Sequence, residues 1–137
     1  MIDAPQQDVW AALADLGSHD RWMRDAESIV FVTDQTSGVG TRMQVKTVVG
    51  PLRTVDEMEV VGWVEGESIS VVHQGLITGR GVLAATADGD RTEVTWEEEL
   101  TFPWYLGGAI TAWLAKPVLG SIWRGNLRRL EETVSSP

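Results

Sequence analysis

Between Ser28 and Thr101, apolar and polar residues change places at every second position, in six short runs broken by turn-forming residues. A strand sends alternate side chains to opposite faces, so this alternation predicts strands with one buried and one exposed face. The runs are SIVFVT, TRMQVKTVVG, LRTVDEMEVVGW, SISVVHQG, ITGRGVLAATA and RTEVTWEEEL. In the second, Met43, Val45 and Thr47 share one face, and Arg42, Gln44 and Lys46 the other. Gly50-Pro51 breaks the chain, and VEGE and DGD read as turns. Short strands in close succession pair with their chain neighbours, so an antiparallel meander is expected.

On either side the period becomes helical. A first helix is expected from Pro5, capped by Asp3, with Val9, Ala12, Leu13 and Leu16 on its apolar face and Gly17 at its end. SHDRWM predicts a short second helix, with Ser18 as its cap and Trp22 as its anchor. Pro103 ends the last strand, and a helix of about 28 residues, roughly 40 Å long, follows. Its apolar positions fall into two stripes displaced by roughly 100°. Leu106, Ile110, Trp113 and Pro117 make the first; Leu119, Trp123, Leu127, Leu130 and Val134 the second. One straight helix cannot bury both and still expose Lys116, so a kink or short break is expected between Lys116 and Gly120, at Pro117. The stretch from Phe102 to Trp123 has Lys116 as its only charge and approaches the length of a membrane span. Two Gly, a Pro and a Lys inside it, and a sheet that needs a cover, favour a helix packed on protein.

Three polar residues break the strand pattern. Asp56 is in step with Met58 and Val60, His73 with Ile69 and Val71, and Glu98 with Val94, Trp96 and Leu100. All three therefore point to the apolar face. A buried charge must be paired, hydrated or facing a cavity. A sheet whose concave face lines a pocket reconciles pattern and cost. Of the run Glu97-Glu98-Glu99, only the middle member faces inward, and Arg80, in step with Val82 and Ala84, points out.

Composition narrows the classes. The 137 residues suit one domain, spanning 1–137, with a real core. A net charge of −9 argues against a nucleic-acid partner. There is no cysteine, which excludes disulfides, thiolate metal sites and a Cys nucleophile. Two histidines do not suggest a multi-histidine metal centre, and no cofactor is called for. The N-terminus has neither a basic region nor an apolar run, so no signal peptide is read and a cytoplasmic location is expected. Seven Trp supply large apolar walls with one donor each.

The stretches IDAPQQDVWAALAD with HDRWM, then GVGTR, GRGVL, TEVTWEEELTFPW and IWRGNLRRLEE, in this order, resemble the helix-grip fold of the START-like, or SRPBCC, superfamily, in its polyketide cyclase/dehydrase-like branch. The resemblance covers nearly the whole chain. It implies an α+β fold: two short N-terminal helices and a curved antiparallel sheet gripping a long C-terminal helix, with a deep pocket between. It also implies hydrophobic ligands and, in some members, cyclisation or dehydration of poly-keto chains. Catalytic residues are not shared across the superfamily, so none is carried over. Family members have a full strand before IDAP, which pairs with the last strand. Here Met1 and Ile2 precede Asp3, so the first strand is truncated or absent and the strand from Arg91 to Thr101 is expected to be an edge. Edges invite pairing, which makes a homodimer through it an expectation.

Turn positions place Asp56 opposite His73 or Gln74, His73 near Arg80 or Gly81, and Glu98 opposite Arg80 or its neighbour, in a loose row. As chemistry, Glu98, His73 and Asp56 are candidates for proton transfer, with base and acid work shared by Glu98 and His73. As structure, they are a satisfied network that positions strands. The expected pocket wall is Met43, Met58, Leu83 and Trp96 from the strands and Leu106, Ile110, Trp113 and Leu114 from the helix; a filled core would use the same residues. Gly79 and Gly81 leave room for a ligand or mark a bend. First in rank is a carrier or sensor of a small hydrophobic molecule, polyketide, lipid or isoprenoid-like. Second is a cyclase or dehydratase without metal or cofactor. Third is a membrane-peripheral protein that uses the apolar helix from Trp104 to Trp123 to collect lipid.

Overall fold

The computed structural model describes residues 1–49, 52–75, 78–101 and 108–135, with the side chains of the last segment from Lys116 to Val134. The alternating runs form one curved antiparallel sheet of six strands. They are β1 (Ala26–Phe31), β2 (Arg42–Val49), β3 (Leu52–Val64), β4 (Ser68–Gln74), β5 (Thr78–Asp88) and β6 (Arg91–Thr101), in chain order across the sheet. Local turns set that order. Asp88 pairs with Arg91 across Gly89-Asp90, and Gly89 supplies the φ of +63° that the tight turn requires.

Helix α1 (Gln6–Ala14) and a 3₁₀ turn (Leu16–Arg21) precede the sheet, and α2 (Gly108–Ser135) follows it. The core joins Val9, Trp10 and Leu13 of α1 and Trp22 after the turn to the inner sheet residues Met43, Val45, Val60, Ile69 and Ala85. Leu130 of α2 is fully buried against them. Each large apolar side chain so buried contributes about 1.5–3 kcal/mol.

Three local expectations are corrected. Pro5, not Asp3, stands at the start of α1, and no side chain caps it. The Pro5 carbonyl accepts from Asp8 and Val9, so the helix begins too late for Asp3 to reach its free N–H groups. The 3₁₀ turn starts at Leu16, which puts Ser18 inside it, where its hydroxyl donates back to the Asp15 carbonyl at 2.8 Å. Of the kink or short break expected between Lys116 and Gly120, the break is absent: α2 is one element with Pro117 inside it and Lys116 exposed. Proline removes one N–H, and the hydrogen bonds on either side carry the helix through.

The outer edge of β6 carries one short pairing. Ile2 and Thr92 exchange both backbone hydrogen bonds, at 2.7 and 2.9 Å, and the Thr92 hydroxyl donates to the Ala4 carbonyl at 2.7 Å. Among the described residues no strand pairs with the rest of that edge. None of the described helices is long and apolar enough to cross a membrane.

Candidate functional site

A cavity of about 240 Å³ lies between the inner face of the sheet, the 3₁₀ turn and α2. Strand parity turns Met43, Met58, Leu83 and Trp96 into its wall, as expected from the sequence, together with Ile69 and Val71. Leu119 and Trp123 close it from α2, Leu16 and His19 from the turn, and Met23 from just after the turn. Of the other expected wall residues, Leu106 lies outside the described residues. Ile110, Trp113 and Leu114 lie on α2 with side chains outside them.

Asp56, His73 and Glu98 all line this cavity. His73 Nε2 is 3.0 Å from Glu98 Oε2, and Trp96 Nε1 donates to Glu98 Oε1 at 2.9 Å. The two side chains are 18% and 7% exposed, so the pair is held away from bulk water. Yet β4 and β6 are separated by β5, about 9.5 Å across two strand spacings. The contact closes because His73 faces Gly79 and Glu98 faces Gly81, so no β5 side chain stands between them. A Cβ on Gly81 would sit 2.6–2.8 Å from the Glu98 carboxylate atoms. Gly81 is therefore clearance for the pair, whereas Gly79 holds a φ of +150° and lies where a Cβ would meet the β6 backbone at Glu99 and Leu100.

The expected pairings need correction. Met58, not Asp56, faces His73, and Glu57 faces Gln74, which leaves Asp56 level with Gly75. Val64 pairs with Ser68, and the register shifts between Val60 and Gly62, which together slide β4 along β3. His73 faces Gly79 rather than Arg80 or Gly81. Asp56 thus shares the cavity but makes no hydrogen bond to the pair. Thr54 Oγ1 donates to its Oδ2 at 3.0 Å, while Oδ1 is buried with no partner. A Cβ on Gly75 would overlap that Oδ1, and Gly75 also holds a φ of +156°, so glycine is required twice over.

These bonds assign hydrogen positions. A carboxylate only accepts, so His73 Nε2 donates to it, and in the neutral ring Nδ1 keeps its lone pair. Among the described residues Nδ1 has no partner. Glu98 has both oxygens engaged.

His19 and Thr54 on the cavity wall escaped the sequence reading. His19 lies in a 3₁₀ turn, where no periodicity marks a face, and Thr54 is too small and too common in strands to stand out. His19 is buried, donates from Nε2 to the Leu13 carbonyl at 2.7 Å and stacks obliquely on Trp22. Burial holds its pKa below the ordinary 6.5, against the opposing pull of the Leu13 carbonyl, Asp15 and Asp20. From Trp22 the ring contacts continue to Trp96 at 6.1 Å and Trp123 at 5.6 Å, so one aromatic chain ties turn, sheet and helix together.

The arrangement offers a largely apolar space, an imidazole oriented by a carboxylate, and a second carboxylate whose Oδ1 is packed against Gly75 without a partner. Among the described residues no group of three or more metal-ligating side chains occurs. Several solved structures share this architecture. TTHA0849 from Thermus thermophilus is 25% identical, with 98% of this chain and 94% of that one aligned at a TM-score of 0.74. The Zhui aromatase/cyclase from Streptomyces sp. R1128 is 15% identical, over 97% and 88%, at 0.76. Ara h 8.0201 is 13% identical, over 99% and 93%, at 0.71, and like the previous one it shows the fold. No curated protein sequence matches the chain. The family model described as polyketide cyclase / dehydrase and lipid transport matches residues 1–135, and the chain belongs to that family.

Proposed function

We propose that the protein binds a small, largely apolar molecule, polyketide, lipid or isoprenoid-like, between the sheet and α2. The observation that carries this is the cavity of about 240 Å³, whose wall is mostly Met, Leu, Ile, Val and Trp side chains with a minority of polar groups. Apolar enclosure provides affinity, and a few polar groups fix orientation. Family membership supports the same reading, since the family's description spans cyclases, dehydrases and lipid transport.

A second reading, catalysis, is favoured by the His73–Glu98 hydrogen bond. Cyclisation of a poly-keto chain needs a base that takes a proton next to a carbonyl and an acid that helps water leave. With both Glu98 oxygens engaged, Glu98 orients the ring and stabilises the imidazolium, and His73 Nδ1 takes and returns the proton. The Zhui protein, an aromatase/cyclase by name, shows that this fold can host such chemistry.

Native mass spectrometry of freshly purified protein, followed by solvent extraction, tests the first reading. A discrete co-purifying small molecule is expected. A ligand-free mass, together with failure of any hydrophobic probe to shift the Trp fluorescence, would remove the pocket reading. The variants His73→Ala and Glu98→Ala then separate the two readings. A carrier loses little affinity, whereas an enzyme keeps binding and loses about 10²–10⁴-fold in turnover.

A further inference from the structure

The titratable groups on the cavity wall are largely committed within the chain. Glu98 accepts from His73 at Oε2 and from Trp96 at Oε1. His19 is tied through Nε2 to the Leu13 carbonyl, and Asp25 through Oδ1 to Asn126. Asp56 holds Thr54 at Oδ2, and its Oδ1 is packed against Gly75, out of reach of any ligand. His73 Nδ1 differs. Among the described residues it has no partner, and it is not one of the sealed unpartnered atoms, which are Trp22 Nε1 and Asp56 Oδ1. It is an open atom on a residue that lines the cavity, with the side chain 18% exposed.

The way this atom bonds is set from behind. The Glu98 carboxylate only accepts, so the ring hydrogen sits on Nε2, and Nδ1 of the neutral ring presents a lone pair. A partner in the cavity must therefore donate. A ketone, an ether or a carboxylate brings only lone pairs, and the last also brings a charge like that of Glu98. A protonated amine donates, but it would lose its water beside a carboxylate whose oxygens are both already engaged, and a charge so desolvated is costly. A neutral hydroxyl donates without that cost. Its bond also extends a chain through His73 to Glu98, and hydrogen bonds in a chain polarise one another.

We propose that the cavity selects hydroxyl-bearing apolar molecules, phenols or alcohols that donate to His73 Nδ1, over ethers and hydrocarbons of the same skeleton. The proposal rests on the reading of this cavity as a ligand pocket and names the class of ligand it takes. The selecting feature is the tautomer of His73, and Glu98 is the positioning residue that sets it. Trp96 makes that tautomer reversible by one substitution. Its N–H holds Oε1, so in Glu98→Gln the amide oxygen stays on Trp96 and the NH₂ group turns to His73 Nε2. Nε2 must then accept, the ring hydrogen moves to Nδ1, and the cavity meets a donor where the wild type presents a lone pair.

Three probes with one skeleton test this by calorimetry on the full chain at pH 8, where a free imidazole is neutral: 2-naphthol, 2-methoxynaphthalene and 2-methylnaphthalene. The naphthol is expected to bind the wild type about three- to tenfold more tightly than the ether, the range of one net hydrogen bond and small beside the loss of turnover that would mark catalysis. In Glu98→Gln the naphthol should lose its lead, and the ether should gain on 2-methylnaphthalene measured in the same protein. Two-bond ¹H–¹⁵N spectra of the histidine rings read the tautomer directly, with the His73 hydrogen on Nε2 in the wild type and on Nδ1 in the variant. A wild-type lead below threefold, a lead that survives the variant, or a ring hydrogen found elsewhere overturns the inference and leaves the pocket reading intact. No binding by any probe, the hydrocarbon included, overturns both. Should Glu98→Gln fail to fold, His73→Phe keeps a ring and removes the lone pair, and a naphthol lead that survives there overturns the inference equally.

Discussion

Gly81 shows how much of this site depends on atoms that are not there. Its missing Cβ leaves the space in which the Glu98 carboxylate lies, and only from that place can Glu98 reach His73 across β5. Gly81→Ala should push the carboxylate aside and cost about 1–3 kcal/mol, the usual range for overpacking. Urea unfolding measures the cost, and loss of the hydrogen-bonded His73 Nε2–H resonance reports the broken contact. In a Glu98→Ala background the same alanine should cost at least about 0.5 kcal/mol less, the signature of coupled residues. Equal cost in both backgrounds would mean that Gly81 serves the backbone and not the pair. At this scale the sequence was half legible. Alternation alone turned Asp56, His73 and Glu98 to one face, because side-chain parity is a property of the single strand. Which of them meet was hidden, because that depends on three strands and on a shift at Val60–Gly62 that carries no local signal.

The C-terminal helix illustrates the next scale. Its second apolar stripe was readable from spacing, and Leu127, Leu130 and Val134 do pack on the core. Asn126 was not, since its purpose lies about a hundred residues away. Fully buried, it donates to Asp25 Oδ1 at 2.7 Å and accepts from the Arg24 backbone N–H at 3.2 Å and from Arg129, which also donates from Nε to the Trp22 carbonyl at 3.0 Å. This cluster fixes α2 to the corner where the 3₁₀ turn enters β1, and Asp25 is on the cavity wall. Asn126→Ala would remove its hydrogen bonds to the Arg24 N–H and Asp25 Oδ1, both part-buried, at about 0.5–1.5 kcal/mol for each bond lost. Asn126→Asp should be worse, because it sets a second carboxylate against Asp25. Chemical denaturation of both variants checks the order. A loss below about 0.5 kcal/mol for the alanine variant, the level of an ordinary surface change, would show that the cluster does not hold the helix.

For the whole molecule, strand order was legible because a meander is a sum of local turns, whereas the cavity was not, since the same apolar residues would serve a filled core. Net charge was legible as well, and it sets two effects against each other as pH falls. The chain carries −9 at pH 7 with a pI near 4.6, so acidification toward pH 5 relieves self-repulsion and favours the folded state. His19 acts in the opposite sense. Its pKa in the folded protein lies below the 6.5 of the free side chain, chiefly through burial. Above pH 6.5 neither state protonates it, and it leaves stability unchanged. As pH falls below 6.5, the unfolded chain takes up a proton that the folded chain refuses, so stability drains away until the folded pKa is reached. The melting temperature of the wild type alone mixes the two effects. His19→Gln, which keeps a donor for the Leu13 carbonyl and cannot take the proton, isolates the second. The melting temperature of the variant minus that of the wild type should be constant from pH 8 to about 6.5 and rise below it. A difference that stays flat down to pH 5 would show that the His19 pocket admits the charged ring, and that the cavity wall at this corner is wetter than its burial implies.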